Sequence, residues 1–209
     1  MNTILVTQRV DLIENRNERR DSLDRRMVQF LLACGYLPIM LPNSLEYVQE
    51  LIRGIDYCGV LLTGGNDLMR YGGDVPERDS VEVFLLEIAI SKKHPIFGVC
   101  RGMQLIQDYF GVELEKIDGH VGCRHSLKVE QDSSFSQVLS EMETVNSFHN
   151  YGTKMTVPQL TIIATSPDGI VEGIKHNDLP IFGQMWHPER EIENQMLEIA
   201  VFRSIFSTI

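Results

Sequence analysis

Short apolar runs that alternate with amphipathic stretches constrain this chain more than any other feature. Residues 3–7, 36–41, 58–63 and 95–99 are strand-like. Between them, Leu23, Met27, Phe30, Leu31 and Cys34 recur at helical spacing, with Asp21 or Ser22 as N-cap and Gly35 as the stop. Residues 45–53 make a short helix ended by Gly54. In the next helix Val81, Phe84, Leu85 and Ile88 share a face, and Asp79 with Glu82 has capping-box spacing. Strands that return through helices lie parallel and are buried on both faces, which is why they read as apolar runs. The second half differs. Strand candidates at 112–116, 126–130, 145–148, 160–165, 170–175 and 181–186 follow one another without helices, and the last two flank a turn at His176, Asn177 and Asp178. Part of the sheet is therefore expected to be antiparallel. A helix over 193–206 closes the chain, with Leu197, Val201 and Ile205 on one face. No repeat or linker interrupts the pattern, so residues 1–209 read as one α/β domain: a mostly parallel sheet with helices on both faces and an antiparallel extension.

Charge narrows the partners. Nineteen Lys and Arg against 29 Asp and Glu give a net charge of -10, which disfavours nucleic acid and anionic membranes. The uncharged run at 27–45 reaches transmembrane length, but Gln29, Gly35, Pro38 and Pro42 interrupt it. The start of the chain shows no basic segment followed by a long apolar one, so a cytoplasmic protein is expected. Cys34, Cys58, Cys100 and Cys123 contain no CxxC and read as separate thiols. Six of the thirteen arginines fall between Arg9 and Arg26, a concentration that suggests a local anion site in an acidic protein.

Chemistry concentrates at Gly98-Val-Cys-Arg-Gly102, a G-x-C-x-G at a predicted strand-to-helix junction. A nucleophile on such an elbow adopts a strained backbone, and the flanking glycines relieve the crowding. Cys100 then faces a helix N-terminus, where free N–H groups favour a thiolate, and the Arg101 N–H points at a developing oxyanion. A buried structural cysteine ahead of a helix also fits this motif taken alone. His187, in His-Pro-Glu after a late strand, lies where open α/β sheets place their sites, and Glu189 can hold its tautomer; a polar turn before the last helix is the plainer explanation. The pair Gly64 and Gly65 follows another strand, making the Gly65 N–H a candidate second oxyanion donor. His149 is a second candidate base, without a carboxylate nearby in sequence to orient it. His120, Cys123 and His125 have ligand chemistry, but His-x2-Cys-x-His lacks a fourth ligand, so no metal is expected.

The combination LLTGG, Arg78-Asp79 with Glu82, PIFGVCRGMQ, VNSFHN and MWHPE, spread from Leu61 to Glu189, resembles the class I glutamine amidotransferase superfamily and its γ-glutamyl hydrolase (peptidase C26-like) branch. The resemblance implies a flavodoxin-like fold and a Cys100-His187-Glu189 triad that cleaves a γ-glutamyl amide through a thioester. It implies that Gln104, Ser147 and Phe148 hold the glutamate end, and Arg101 favours the hydrolase branch over amidotransferase domains. Hydrolysis consumes only water and leaves no ammonia to shelter from solvent, so no cofactor and no obligatory synthase partner are expected. The arginine-rich segment resembles the small bacterial branch acting on γ-glutamyl-CDP-amidate in capsular phosphoramidate assembly. Arg9, Arg16, Arg19 and Arg20 would there grip the pyrophosphate of the leaving group; a solvated basic helix face paired with nearby carboxylates is the alternative. A general γ-glutamyl hydrolase, a glutaminase serving a separate synthase and a noncatalytic or redox-sensing relative are competing functions.

Overall fold

The computed structural model describes residues 1–131 and 135–206. In chain order the elements are β1 (Asn2–Val6), β2 (Arg9–Ile13), β3 (Glu18–Ser22), α1 (Arg25–Ala33), β4 (Tyr36–Met40), α2 (Leu45–Gly54), β5 (Val60–Leu62), α3 (Pro76–Lys92), β6 (Ile96–Val99) and α4 (Arg101–Tyr109). There follow β7 (Glu115–Lys116), β8 (Val121–His125), β9 (Lys128–Val129), α5 (Ser136–Ser140), β10 (Val145–Phe148), β11 (Tyr151–Gly152), β12 (Leu160–Thr165), β13 (Val171–His176), β14 (Ile181–Gln184) and α6 (Gln195–Phe206). The central sheet runs β4-β1-β5-β6-β14-β13-β12-β9. Its first five strands pair in parallel and the rest are antiparallel, the α/β arrangement expected from the alternation.

Period-2 geometry divides each strand between two cores. Ile4, Val6, Leu61, Phe97, Val99 and Phe182 face one side, where Met27, Phe30 and Leu31 of α1 and Phe202 of α6 meet them. Leu5, Val60, Leu62, Ile96 and Ile181 face the other, against Val48 of α2, Leu85 of α3 and Ile106 of α4. Each fully buried side chain of this size stabilises the fold by about 1.5–3 kcal/mol. Both faces are thus covered, and the strand ends emerge at a common rim.

Several local expectations are corrected. Helix α1 is capped by Asp24, whose carboxylate accepts the Arg26 N–H at 2.9 Å. Asp21 is already in a strand and binds Asn43 instead. Helix α3 starts at Pro76, before Asp79, because proline supplies the fixed φ of a first helical position and needs no N–H there. Asp79 and Glu82 therefore lie inside the helix, free for other partners. The arginine-rich segment is not a helix face: β2 and β3 pair antiparallel through a turn in which Asn17 takes φ 50°. The second half contains β8, which was not foreseen, and β10 pairs with it in a separate ribbon outside the central sheet.

Candidate active site

The carboxyl ends of β5, β6 and β14 carry the Gly64-Gly65 turn, Cys100 and His187. Cys100 has φ 51° and ψ -108°, a conformation costly for a residue with a Cβ and retained here because its surroundings fix it. Its N–H donates to the Gln184 carbonyl at 2.8 Å, and its carbonyl accepts from the Gln104 N–H at 3.0 Å as α4 begins. The flanking glycines are required by contact. A Cβ on Gly102 would stand 2.1 Å from the Leu62 carbonyl oxygen, and one on Gly98 would stand 2.7 Å from the Gly102 backbone. Strand, turn and helix are consequently pressed together, which drives the cysteine outward onto the turn.

His187 is buried beside Cys100. Its Nδ1 lies 2.9 Å from Glu189 Oε1. Its backbone is clamped by Asn146, whose Oδ1 accepts the His187 N–H at 3.1 Å while its Nδ2 donates to the His187 carbonyl at 2.9 Å. Burial pulls the imidazole pKa down, but hydrogen bonds to Cys100 and Glu189 outweigh it and raise it to about 9. The ring is therefore poised as an imidazolium next to the thiol. Burial instead pushes the Cys34 thiol up to about 12 and also raises Cys58, so neither offers a ready thiolate. All four cysteines are free.

Behind the elbow, Arg78, Asp79, Glu82 and Arg101 join in a charge network that their places in the sequence motifs did not reveal. Arg78, Glu82 and Arg101 are almost wholly buried. Arg78 Nε donates to Glu82 at 2.9 Å, and its terminal nitrogens donate to the carbonyls of Thr63 at 2.6 Å, Gly64 at 3.2 Å and Gly65. Arg101 donates to Glu82 and to Asp79. Burial alone would raise the Glu82 carboxyl; the Arg101 and Arg78 guanidiniums reverse this and hold it below the usual range. One guanidinium thus gathers three consecutive carbonyls of the glycine turn, while the other ties the first turn of α4 to α3. The Arg78/Glu82 pair, four residues apart on a helix, was the available signal, but its link to Arg101 is tertiary.

Two cavities of about 220 Å³ meet at Cys100, Gly65 and Phe148. The first continues to Gly64, His187, Glu189, Arg9 and Arg190; the second to Asn66, Asp67, Arg101, Gln104, His149 and Asn150. Phe148 lines both, its ring edge-on to His187 with centroids 6.1 Å apart. Gln104 lines the second cavity and donates to the Tyr151 carbonyl at 3.0 Å. Ser147 is fully buried, lines neither cavity, and spends its hydroxyl on the His120 carbonyl at 2.8 Å. His149 borders the second cavity, but its Nδ1 lies 3.0 Å from the Tyr151 carbonyl and its Nε2 3.4 Å from Glu172.

The four arginines of the hairpin segment are not brought together. Arg9 borders the first cavity, packs over Gly65, and pairs with Asp11 at 3.0 Å. Arg19 joins Arg9 in an adjoining groove and pairs with Glu77 at 2.7 Å. Arg20 is exposed and pairs with Glu18; Arg16 is exposed in the turn. Neither borders the two cavities at Cys100. Arg190, next to Glu189 in sequence and not foreseen as a site residue, does, with its guanidinium carbon 4.8 Å from the Phe148 ring centre.

Comparison with known proteins now decides the family. The sequence profile of peptidase C26 matches residues 4–189. The chain belongs to the peptidase C26 family. Within this glutamine amidotransferase-like group it is 30% identical to the γ-glutamyl-CDP-amidate hydrolase of Campylobacter jejuni, over 98% of this chain and 97% of that one. It is 28% identical to the γ-glutamyl-γ-aminobutyrate hydrolase of Escherichia coli O157:H7, covering 89% and 85% of the two chains. A crystal structure of a Thermoplasma acidophilum protein assigned as one chain of a GMP synthase superposes with a TM-score of 0.72 at 22% identity, over all of this chain and 95% of that one, which establishes the shared fold of this C26 member. Among the described residues no helix is long and apolar enough to cross a membrane.

Proposed function

We propose that this C26 protein is a cysteine hydrolase of γ-glutamyl amides, and that its substrate is γ-glutamyl-CDP-amidate, cleaved to glutamate and cytidine diphosphoramidate. The observation that carries the reaction is the buried chain of contacts from Cys100 through His187 to Glu189 at the meeting point of two cavities. The Cys100 sulfur attacks the γ-carbonyl carbon, and the carbonyl oxygen, now an oxyanion, takes the N–H groups of Gly65 and Arg101. His187 delivers its proton to the leaving nitrogen as the C–N bond breaks and the thioester forms. Water then attacks the thioester with His187 as base, releasing glutamate and restoring the thiol. Glu189 keeps Nδ1 protonated throughout, so that Nε2 does the proton transfer.

The glutamyl group occupies the polar cavity lined by Asn66, Gln104 and Asn150, and the leaving group occupies the one lined by Arg9 and Arg190. Ser147 supports this site from behind through its bond to His120. Two guanidiniums beside the leaving-group cavity suit a pyrophosphate, whose charge-assisted contacts are about twice as strong as neutral hydrogen bonds. The identity to the C. jejuni hydrolase along nearly the whole chain supports the same substrate. Nothing in the reaction needs a synthase partner, because no ammonia has to be sheltered from water. The test is turnover by the purified chain alone of γ-glutamyl-CDP-amidate, a small γ-glutamyl alkylamide and glutamine. The expected order of kcat/KM follows that sequence. Equal rates on the first two contradict the nucleotide assignment, and turnover that needs a second protein contradicts the stand-alone hydrolase.

A further inference from the structure

Three histidines and one carboxylate converge beneath the end of β10, outside the reaction chemistry. Glu172 of β13 is fully buried, and neither of its carboxylate oxygens has a hydrogen-bond partner. Its Oε1 lies 3.4 Å from His120 Nδ1, 3.5 Å from His125 Nε2 and 3.4 Å from His149 Nε2. The Nε2 atoms of His125 and His149 likewise lack a partner. Ligand atoms of His120, His125 and Glu172 all lie within 4.8 Å of one another, and the His120 ring sits between the other two, with centroids 5.3 Å from His125 and 4.9 Å from His149.

The opposite nitrogen of each ring faces an acceptor. His120 Nε2 faces Asp168 Oδ2 at 3.2 Å, His125 Nδ1 faces the Ser126 carbonyl at 3.1 Å, and His149 Nδ1 faces the Tyr151 carbonyl at 3.0 Å. Carbonyl and carboxylate oxygens accept, so each of these nitrogens carries the proton, and in the neutral ring the other presents a lone pair. In that tautomer the three inner nitrogens converge with the Glu172 oxygen, the disposition of donor atoms that a cation site requires. Metal-binding histidines show this same pattern, the far N–H held by a carboxylate or carbonyl.

We infer that His120, His125 and Glu172, with His149 adjoining Glu172, form a structural site for one borderline divalent cation such as zinc. A tetrahedral zinc with ligands at about 2.0–2.1 Å separates them by about 3.3–3.4 Å, close to the distances from Glu172 Oε1 to His120 and His125, while the set as a whole lies within 4.8 Å and would draw in around the ion. Cys123, the ligand type that sequence inspection paired with these histidines, is not part of the set: its thiol donates to the Gly119 carbonyl at 3.1 Å. The missing ligand comes instead from Glu172, which sequence spacing could not bring to these histidines. The cation braces the wall of the glutamyl cavity. His149 and Gln104 share the Tyr151 carbonyl, and the His120 carbonyl accepts from both Ser147 Oγ and the His149 N–H.

The test is zinc binding by the full chain. Protein stripped with a chelator and exchanged into metal-free buffer is titrated with zinc chloride by calorimetry, with metal content measured by mass spectrometry. The Cys100→Ser chain is used alongside the parent, so that zinc held by the reaction thiol is not counted. One zinc per Cys100→Ser chain is expected, with a rise in melting temperature. In that background, Glu172→Gln and the less buried His125→Ala should each weaken binding by at least about 100-fold, and Asp168→Asn, behind His120, by about 10–100-fold. Circular dichroism reports whether each variant is folded. No saturable zinc binding by the Cys100→Ser chain overturns the site, as does affinity unchanged in folded His125→Ala. Binding is read without substrate, so the outcome is independent of the γ-glutamyl assignment.

Discussion

The Cys100 elbow and the β2/β3 hairpin border the same cavity and are built in opposite ways. The elbow is held by buried constraints: glycines that touch backbone, a cysteine at positive φ, and two buried arginines on one carboxylate. The hairpin is largely exposed and held by its own ladder and by surface pairs such as Arg9 with Asp11 and Arg20 with Glu18. Buried charge pairs are strongly destabilising to break, whereas exposed ones contribute about 0–1 kcal/mol. On the proposed function, chemistry falls on the part of the molecule held by buried constraints, and leaving-group recognition on a part that can change residue by residue at little cost to the fold.

The largest effect that sharpens this contrast is Cys100→Ser, which should lower kcat by about 10³-fold or more while leaving the melting temperature close to the parent's. Substantial residual turnover would detach the chemistry from the elbow. Next is Glu82→Gln, which leaves two buried guanidiniums short of a full countercharge and should cost about 3–5 kcal/mol in urea denaturation. A cost under about 1 kcal/mol would show that the elbow's support is no stronger than a surface pair.

A smaller effect concerns pH. Because His187 is raised to about 9 in the folded protein, against an ordinary value near 6.5, its protonated form persists through neutrality. Its contribution to stability is complete below about pH 6.5 and is lost as pH rises through about 9. The rate should decline through the same range as the proton for the leaving nitrogen is removed. Glu189→Gln, which removes a group that raises this pKa, should move that alkaline limb of kcat/KM to lower pH. A limb that stays in place would take Glu189 out of its orienting role.

The smallest effects belong to the hairpin. Arg9→Ala should lower kcat/KM for γ-glutamyl-CDP-amidate about tenfold, corresponding to one charge-assisted contact of about 1.5 kcal/mol, with little change for a γ-glutamyl alkylamide. Arg20→Ala, exposed and paired with Glu18, should alter neither substrate by more than about twofold. Equal losses on both substrates in Arg9→Ala would show that the hairpin contributes to general architecture.

This contrast also decided what was legible beforehand. The parallel half could be read because buried strands need continuous apolar runs, and the elbow because its glycines and cysteine are adjacent in sequence. The hairpin could not: Glu18–Ser22 is mostly exposed and Arg9–Ile13 fully buries Val10 alone, so neither carries a buried face whose alternation would mark a strand. Asp79 and Glu82 were misread as a cap because local spacing does not reveal a distant Arg101. His149 lacked a carboxylate in sequence only because Glu172 arrives from β13, far along the chain. Of the four hairpin-segment arginines, charge counting could not single out Arg9 and missed Arg190, since which side chain reaches a cavity depends on the facing of strands and turns.

The most direct measurement of the central claim is peptide mapping of the chain quenched with acid during steady turnover of a γ-glutamyl amide. A glutamyl group attached through a thioester to Cys100, absent from Cys100→Ser and removed by hydroxylamine, is the expected result. An adduct on another residue, or full turnover by the Cys100→Ser chain, would contradict it.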